Sequence, residues 1–278
     1  MLAGLLASRT EDIRAKAVAS LVSLSESQAH RADLVRQDCV AKLAHFIVSS
    51  DPPQRLARSA STVIQRCLDE AVSVRQVGSG AGALVSALTE LACRVVDPQV
   101  KQHVLRALAA LCGDPRPDLA GLDEAVRNEV GQVNFTCAQQ FIRNQTAATM
   151  VTPMLRDADA GVRSAALCLC TALVGFNGAA ELLARSGAVA GVEQLVEGEA
   201  SPQVLVVAMA FFTRVWGLLC APNVPAATRG AHAESAAVVV RAVLKCCQRC
   251  GGDHGVLFHA AALLKPISAM PEHAAAIA

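Results

Sequence analysis

Apolar residues recur along this chain at i, i+4, i+7 or i+8, and i+11, directly after turns that carry Asp or Pro. Residues so spaced share one face of an α-helix. The pattern appears as Ile13, Ala17, Leu21 and Leu24, as Leu56, Ala60 and Ile64, and as Val100, Val104, Leu108 and Leu111. It returns as Val162, Ala166, Cys170 and Leu173, as Val204, Ala208 and Phe212, and more weakly as Val256, Ala260 and Leu264. The steps between the first residues of these sets are 43, 44, 62, 42 and 52. Three of the five fit the ~40–47-residue period of two- or three-helix repeat units. The other two look like the same unit with an insertion.

A second helix precedes each of these. Its fullest copy runs from Leu182 through Gly187 and Val189 to Val196. Ser79-Gly80-Ala81 through Leu88 repeats it, and Asp38-Cys39-Val40 through Phe46 does so more loosely. Glycine at that place ends a short helix and permits a sharp bend into the next.

The stretch from Asn177 through Gly187-Ala-Val189 to Val215 resembles a complete armadillo repeat. The resemblance covers nearly the whole chain, and a HEAT-type arrangement satisfies the same degenerate pattern. It implies an all-α, right-handed armadillo-like solenoid of about six repeats, with 1–278 as a single unit. Repeats are expected near 1–27, 28–70, 71–113, 114–175 (with an insertion over 113–148), 176–221 and 231–278, the last incomplete. In that family a short first helix turns at Gly into a second and then a longer third. Third helices line a concave groove that binds extended peptides or partner helices.

Two departures stand out. Gly113-Asp-Pro-Arg-Pro-Asp118 opens an insertion with a helix expected at about Leu122 to Ile142, and Ala221–Gly230, with Pro222 and Pro225, is a second long loop. Neither end carries the polar capping repeat that a lone solenoid needs, so a longer protein or covering partners are expected.

Composition narrows the function. Aromatics are only 3% of the residues, so the core has to be built from Ala, Val and Leu. Lys plus Arg is 25 and Asp plus Glu 24, which lacks the basic footprint of a nucleic-acid protein. No run of 18 uncharged apolar residues occurs, since Arg214 interrupts Val204–Cys220, and no basic region precedes the first apolar stretch. The chain is expected to be cytoplasmic, without membrane insertion. Most of the eleven cysteines, among them Cys67, Cys93, Cys112, Cys168 and Cys170, sit in apolar helical stretches as small hydrophobes. Asn134-Phe-Thr136 and Asn144-Gln-Thr146 match the glycosylation pattern, which has no use in a cytosolic chain.

Candidate chemistry is sparse. Cys246, Cys247, Cys250, His254 and His259 are zinc-ligand types, but there is no second Cys-x-x-Cys, and the cysteines fit a helix end before Gly251-Gly252. Gly78-Ser-Gly80-Ala-Gly82 has no preceding strand, so it is a turn rather than a phosphate loop. No nucleophile elbow, His-Glu-x-x-His or paired-carboxylate motif is present. No catalytic residue, metal or cofactor is assigned.

The armadillo family's peptide ladder of Trp and Asn, four residues apart on third helices, is absent. By register its Trp place holds Ala19, Thr62, Arg106, Cys168 and Ala210, and its Asn place Ser23, Arg66, Ala110, Ala172 and Arg214. That argues against a groove for basic nuclear signals. The next row holds Lys16, Ser59, His103, Val207 and His259. Lys16, Arg66, His103, Arg106 and Arg214 together describe a weakly basic face without an acid, expected to bind an acidic or phosphorylated segment or an acidic protein surface. The function expected is a non-enzymatic scaffold within a multi-protein complex, of cilium, axoneme or cytoskeleton type. The alternative is a regulatory adaptor resembling armadillo-type nucleotide-exchange cofactors of Hsp70.

Overall fold

The computed structural model describes residues 2–113, 120–176, 178–179, 182–183, 186–199, 201–219, 240–241, 243–248, 250 and 252–268. These are helices and turns, with no strand among the described residues. After a 3₁₀ turn at Leu2–Ala7 come α1 (Glu11–Glu26), α2 (Gln28–Arg36), α3 (Cys39–Ser50) and α4 (Gln54–Leu68). Next are α5 (Ala71–Arg75), α6 (Ala81–Arg94), α7 (Pro98–Leu111), α8 (Glu124–Arg143), α9 (Gln145–Leu155) and α10 (Ala160–Leu173). The last three are α11 (Ala188–Gly198), α12 (Pro202–Leu219) and α13 (His254–Ser268). None of the described helices is long and apolar enough to cross a membrane.

The helices stack in rows. α1, α4, α7, α10, α12 and α13 form one row, each packed on the next. The Leu2–Ala7 turn, α3, α6, α9 and α11 form a second, and α2, α5 and α8 a third. Small residues set the spacing of the first row: Ala17, Ala60, Val104, Ala166 and Ala208 are all buried where one helix meets another. Burying such side chains contributes ~25 cal/mol per Å² of apolar surface, and each row supplies the cover that its neighbour lacks.

Local chemistry fixes where these helices begin. Asp97 Oδ1 accepts from the Val100 N–H at 3.0 Å, Asp123 Oδ1 from Val126 at 3.0 Å, and Asp159 Oδ1 from Val162 at 2.9 Å. Each satisfies an amide that the first turn leaves without a partner. The bend into a second helix is left-handed at Asp38 (φ 60°), at Gly187 (φ 69°) and, one 3₁₀ turn ahead of α6, at Gly78 (φ 49°). Glycine takes that conformation without cost, and Asp tolerates it better than most side chains.

The helix expected over Leu122–Ile142 is present as α8, twenty residues long. It packs on α5 and α6 and so continues the row begun by α2, rather than standing outside the stack. Asn134, on α8, is 7% exposed, and Asn144 caps α9 by accepting from the Thr146 N–H, so both sequons sit in helical structure. The loop expected at Ala221–Gly230 lies outside the described residues. Cys39, Cys67, Cys112, Cys137, Cys170 and Cys246 are buried, and burial pushes the thiols of Cys67, Cys137 and Cys170 up to about 12. The six are packing residues, and the thiols of Cys67, Cys137 and Cys170 are protonated at neutral pH.

Cation–carboxylate pairs tie the first-row helices α4, α7 and α10 each to the N-terminal end of the next in the row. Arg58 reaches Asp97 at 2.9 Å, Lys101 reaches Asp157 at 3.1 Å, and Arg163 reaches Glu199 at 2.6 Å. Arg31 and Glu70 pair in the same way between α2 and the residue that opens α5. Burial raises the Asp97 pKa, but the bonds from Arg58, the Val100 N–H and Gln54, with the charge of Arg58, outweigh it and hold the carboxyl at about 2. A carboxyl lowered by folding contributes stability that is complete above about pH 4 and is lost as the pH falls toward 2. Asp97→Ala, which removes both cap and ion pair, is expected to cost about 2–3 kcal/mol. Asp97→Asn keeps the cap and should cost less. Urea unfolding at pH 7 and pH 3 checks both, and the gap between wild type and Asp97→Asn should narrow at the lower pH.

Candidate functional site

The face carried by α1, α4, α7, α10 and α12 positions every side chain expected in the groove, since these helices share one register. Lys16 on α1 is 77% exposed, and its Nζ lies 2.8 Å from Asp12, one helical turn back. Arg66 on α4 is half-buried, with Nη1 3.8 Å from Glu26 Oε1 at the end of α1. That same Nη1 is covered from solvent and has no hydrogen-bond acceptor. Arg106 on α7 is exposed, and neither it nor Arg214 has a carboxylate in ion-pair range among the described residues. Arg214 on α12 lies with Nη2 over Gly175, where even a Cβ would come within 3.4 Å of it.

His103 is held by a residue that the pattern alone did not single out. Ser61, buried on α4, donates its hydroxyl to the Arg58 carbonyl at 2.9 Å, and its Oγ lies 2.9 Å from His103 Nδ1. A hydroxyl has one proton, so Oγ accepts from Nδ1–H and leaves Nε2 as the lone-pair nitrogen of a neutral ring. Burial, then the charge of Arg106, with a smaller effect of Arg66, lowers the His103 pKa below its ordinary value against an opposing effect of Asp97. The ring is therefore neutral at pH 7, and it bridges α4 and α7 instead of adding a charge.

Arg66, His103 and Arg106 thus come together across α4 and α7. Lys16 stands apart on α1, and Arg214 is two helices beyond α7 in the same row. The expectation of a face without acids is corrected: Asp12 and Glu26 lie on it, each beside one cation. The Asp12–Lys16 spacing was readable as an i, i+4 helix pair. Glu26 comes from a neighbouring helix and carried no local signal. Between Arg106 and Arg214, α10 contributes Cys168, half-buried, and Ala172, buried.

Elsewhere, a cleft of about 760 Å³ lies between residues 47–57 and 91–98, and a smaller one of about 330 Å³ lies between α9, α10 and α11. Of the acids lining them, Asp97, Asp157 and Glu199 are paired with Arg58, Lys101 and Arg163, and Asp51, at the end of α3, is exposed. Cys246 is buried, with Sγ 3.9 Å from the Val196 carbonyl. Among the described residues no three His, Cys, Asp or Glu side chains gather at metal-binding distance.

No family model matches the sequence, and no curated protein matches it. Solved structures do. A designed armadillo repeat protein in complex with the peptide (KR)4 superposes with a TM-score of 0.67 at 14% identity, over 95% of this chain and 97% of that one. A second designed armadillo repeat protein gives 0.66 at 15% identity, covering 95% and 98%. A computationally designed armadillo repeat protein for modular peptide recognition gives 0.67 at 15%, with the same coverage. The fold is that of an armadillo-repeat solenoid.

If Arg106 lowers the His103 pKa through its charge, Arg106→Gln raises the titration midpoint of that ring toward 6.5, while burial still holds it below. Histidine resonances followed by NMR from pH 8 to pH 5 give the shift. An unchanged midpoint would place the guanidinium away from the ring.

Proposed function

We propose that this chain is a non-enzymatic protein-binding scaffold whose third-helix face takes an acidic or phosphorylated segment of a partner protein. The observation that carries the proposal is the pair of guanidinium groups Arg66 and Arg106 on adjacent helices of one face, with Arg106 exposed and without a carboxylate partner among the described residues. A guanidinium presents several N–H donors in a plane, so it suits carboxylate or phosphate oxygens. One designed protein of the same fold is in complex with (KR)4, a peptide of basic residues. The cations on the present face favour the opposite sign of ligand.

The setting we propose is a stable cytoplasmic assembly of cytoskeletal or ciliary type. Its support is the absence of the Trp and Asn ladder: those places hold Ala19, Thr62, Arg106, Cys168 and Ala210, and Ser23, Arg66, Ala110, Ala172 and Arg214. Permanent packing needs no such ladder.

Proximity labelling in cells compares the intact chain with an Arg66→Glu, Arg106→Glu, Arg214→Glu variant. We expect the wild-type chain to label one set of cytoskeletal or ciliary proteins with acidic segments, and the variant to lose at least about tenfold of that signal at unchanged abundance. A set led by Hsp70 would replace the scaffold with an exchange cofactor. An unchanged set in the variant would remove the third-helix face from the proposal.

A further inference from the structure

We infer that the face selects an extended segment carrying two anionic side chains six residues apart, with small apolar side chains between them. This inference rests on the acidic-segment reading and makes it more specific. Lys16 is paired with Asp12, and Arg66 has Glu26 beside it. Arg106, exposed, and Arg214, half-buried, are the two groove cations with no carboxylate in reach among the described residues, and these two serve as the anchors.

The rows fix the distance between these anchors. Arg106 is on α7 and Arg214 on α12, with α10 packed between. Packed helices lie ~8–10 Å apart, so two steps along the row span roughly 16–20 Å. Arg214 stands four residues further along its helix than Ala210, the counterpart of Arg106. That adds an axial offset of ~6 Å and makes the diagonal roughly 17–21 Å. An extended chain advances ~3.3 Å per residue, so the diagonal corresponds to five or six residues. Successive side chains of an extended chain point to opposite sides, and only an even separation presents both anions to the face. Six meets both conditions. Four spans only ~13 Å.

The surface between the anchors decides what lies between the anions. Cys168 on α10, with Val207 and Ala210 on α12, all half-buried, form a floor without charge or long side chains. In a segment with anions at its first and seventh positions, the third and fifth face this floor. A buried carboxylate there would have no donor, whereas Ala or Val would remove apolar surface from water.

The test is fluorescence anisotropy of labelled peptides against the whole chain. The peptides share one net charge and carry two Glu residues three, six or nine residues apart, with Ala and Val between. We expect the six-residue peptide to bind about tenfold more tightly than either other, the scale of one charge-assisted contact. Arg214→Gln should reduce it to the level of the others, and Arg214→Lys should keep most of the preference, which separates a lost contact from a lost fold. Repeating the series with phosphoserine assigns the anchor to phosphate if those peptides bind more tightly, and to carboxylate if they do not. The six-residue preference is required in whichever series binds. Equal binding at all three spacings overturns the inference and leaves the acidic-segment reading standing. Binding no tighter than that of a Gln-substituted peptide overturns that reading, and the inference with it.

Discussion

Third helix packs on third helix through alanine, valine and leucine, and the spacing these small side chains allow sets every distance across the face. Ala60, Val104, Ala166 and Ala208 are buried on successive helices of the row, each of which packs on the next. A bulky aromatic at any of these positions would push two helices apart and carry the rest of the row with it. The groove is regular because its underside is closely packed. The positions of Arg106 and Arg214 follow from that packing, with α10 as the spacer between them.

The charged residues divide according to which end of the third helix they occupy. Near the N-terminal ends, Arg58, Lys101 and Arg163 are committed to carboxylates at the start of the next helix in the row and are partly shielded from water. Pairs of that kind hold geometry, because removing one partner strands the other. Further along the same helices, Arg66 is half-buried beside Glu26, and Arg106 faces outward, where water screens its charge and its value in folding is small. A near-neutral chain can in this way carry a locally basic face, which its net charge of +1 conceals.

Much of this was legible in the amino-acid pattern, for identifiable reasons. Period and anchor spacing follow from helix geometry, so Val100, Val162 and Val204 located their helices directly. Asp97 and Asp159 announced helix starts because capping is local chemistry. The left-handed bend at Gly187 was readable because Gly is the usual residue there, whereas Asp38 adopts it without so clear a mark. What the sequence could not give was contact between helices far apart in the chain. Ser61 holding His103, and Glu26 lying beside Arg66, join residues about forty apart, and no spacing rule connects them. The role of α8 was hidden for the same reason. A helix in an unusually long connection is read as an addition until its packing on α5 and α6 shows it to be a member of the row.

The ties at the N-terminal ends of the third helices bear on how the solenoid flexes. A stack of rods bends by widening one rim and narrowing the other. Arg58–Asp97, Lys101–Asp157 and Arg163–Glu199 all lie along a single rim. Curvature that widens this rim stretches three short charge-assisted contacts in series, whereas the opposite curvature leaves them intact. The molecule is accordingly stiffer in one direction than in the other. Protonation or concentrated salt, which weakens such contacts, softens that direction first.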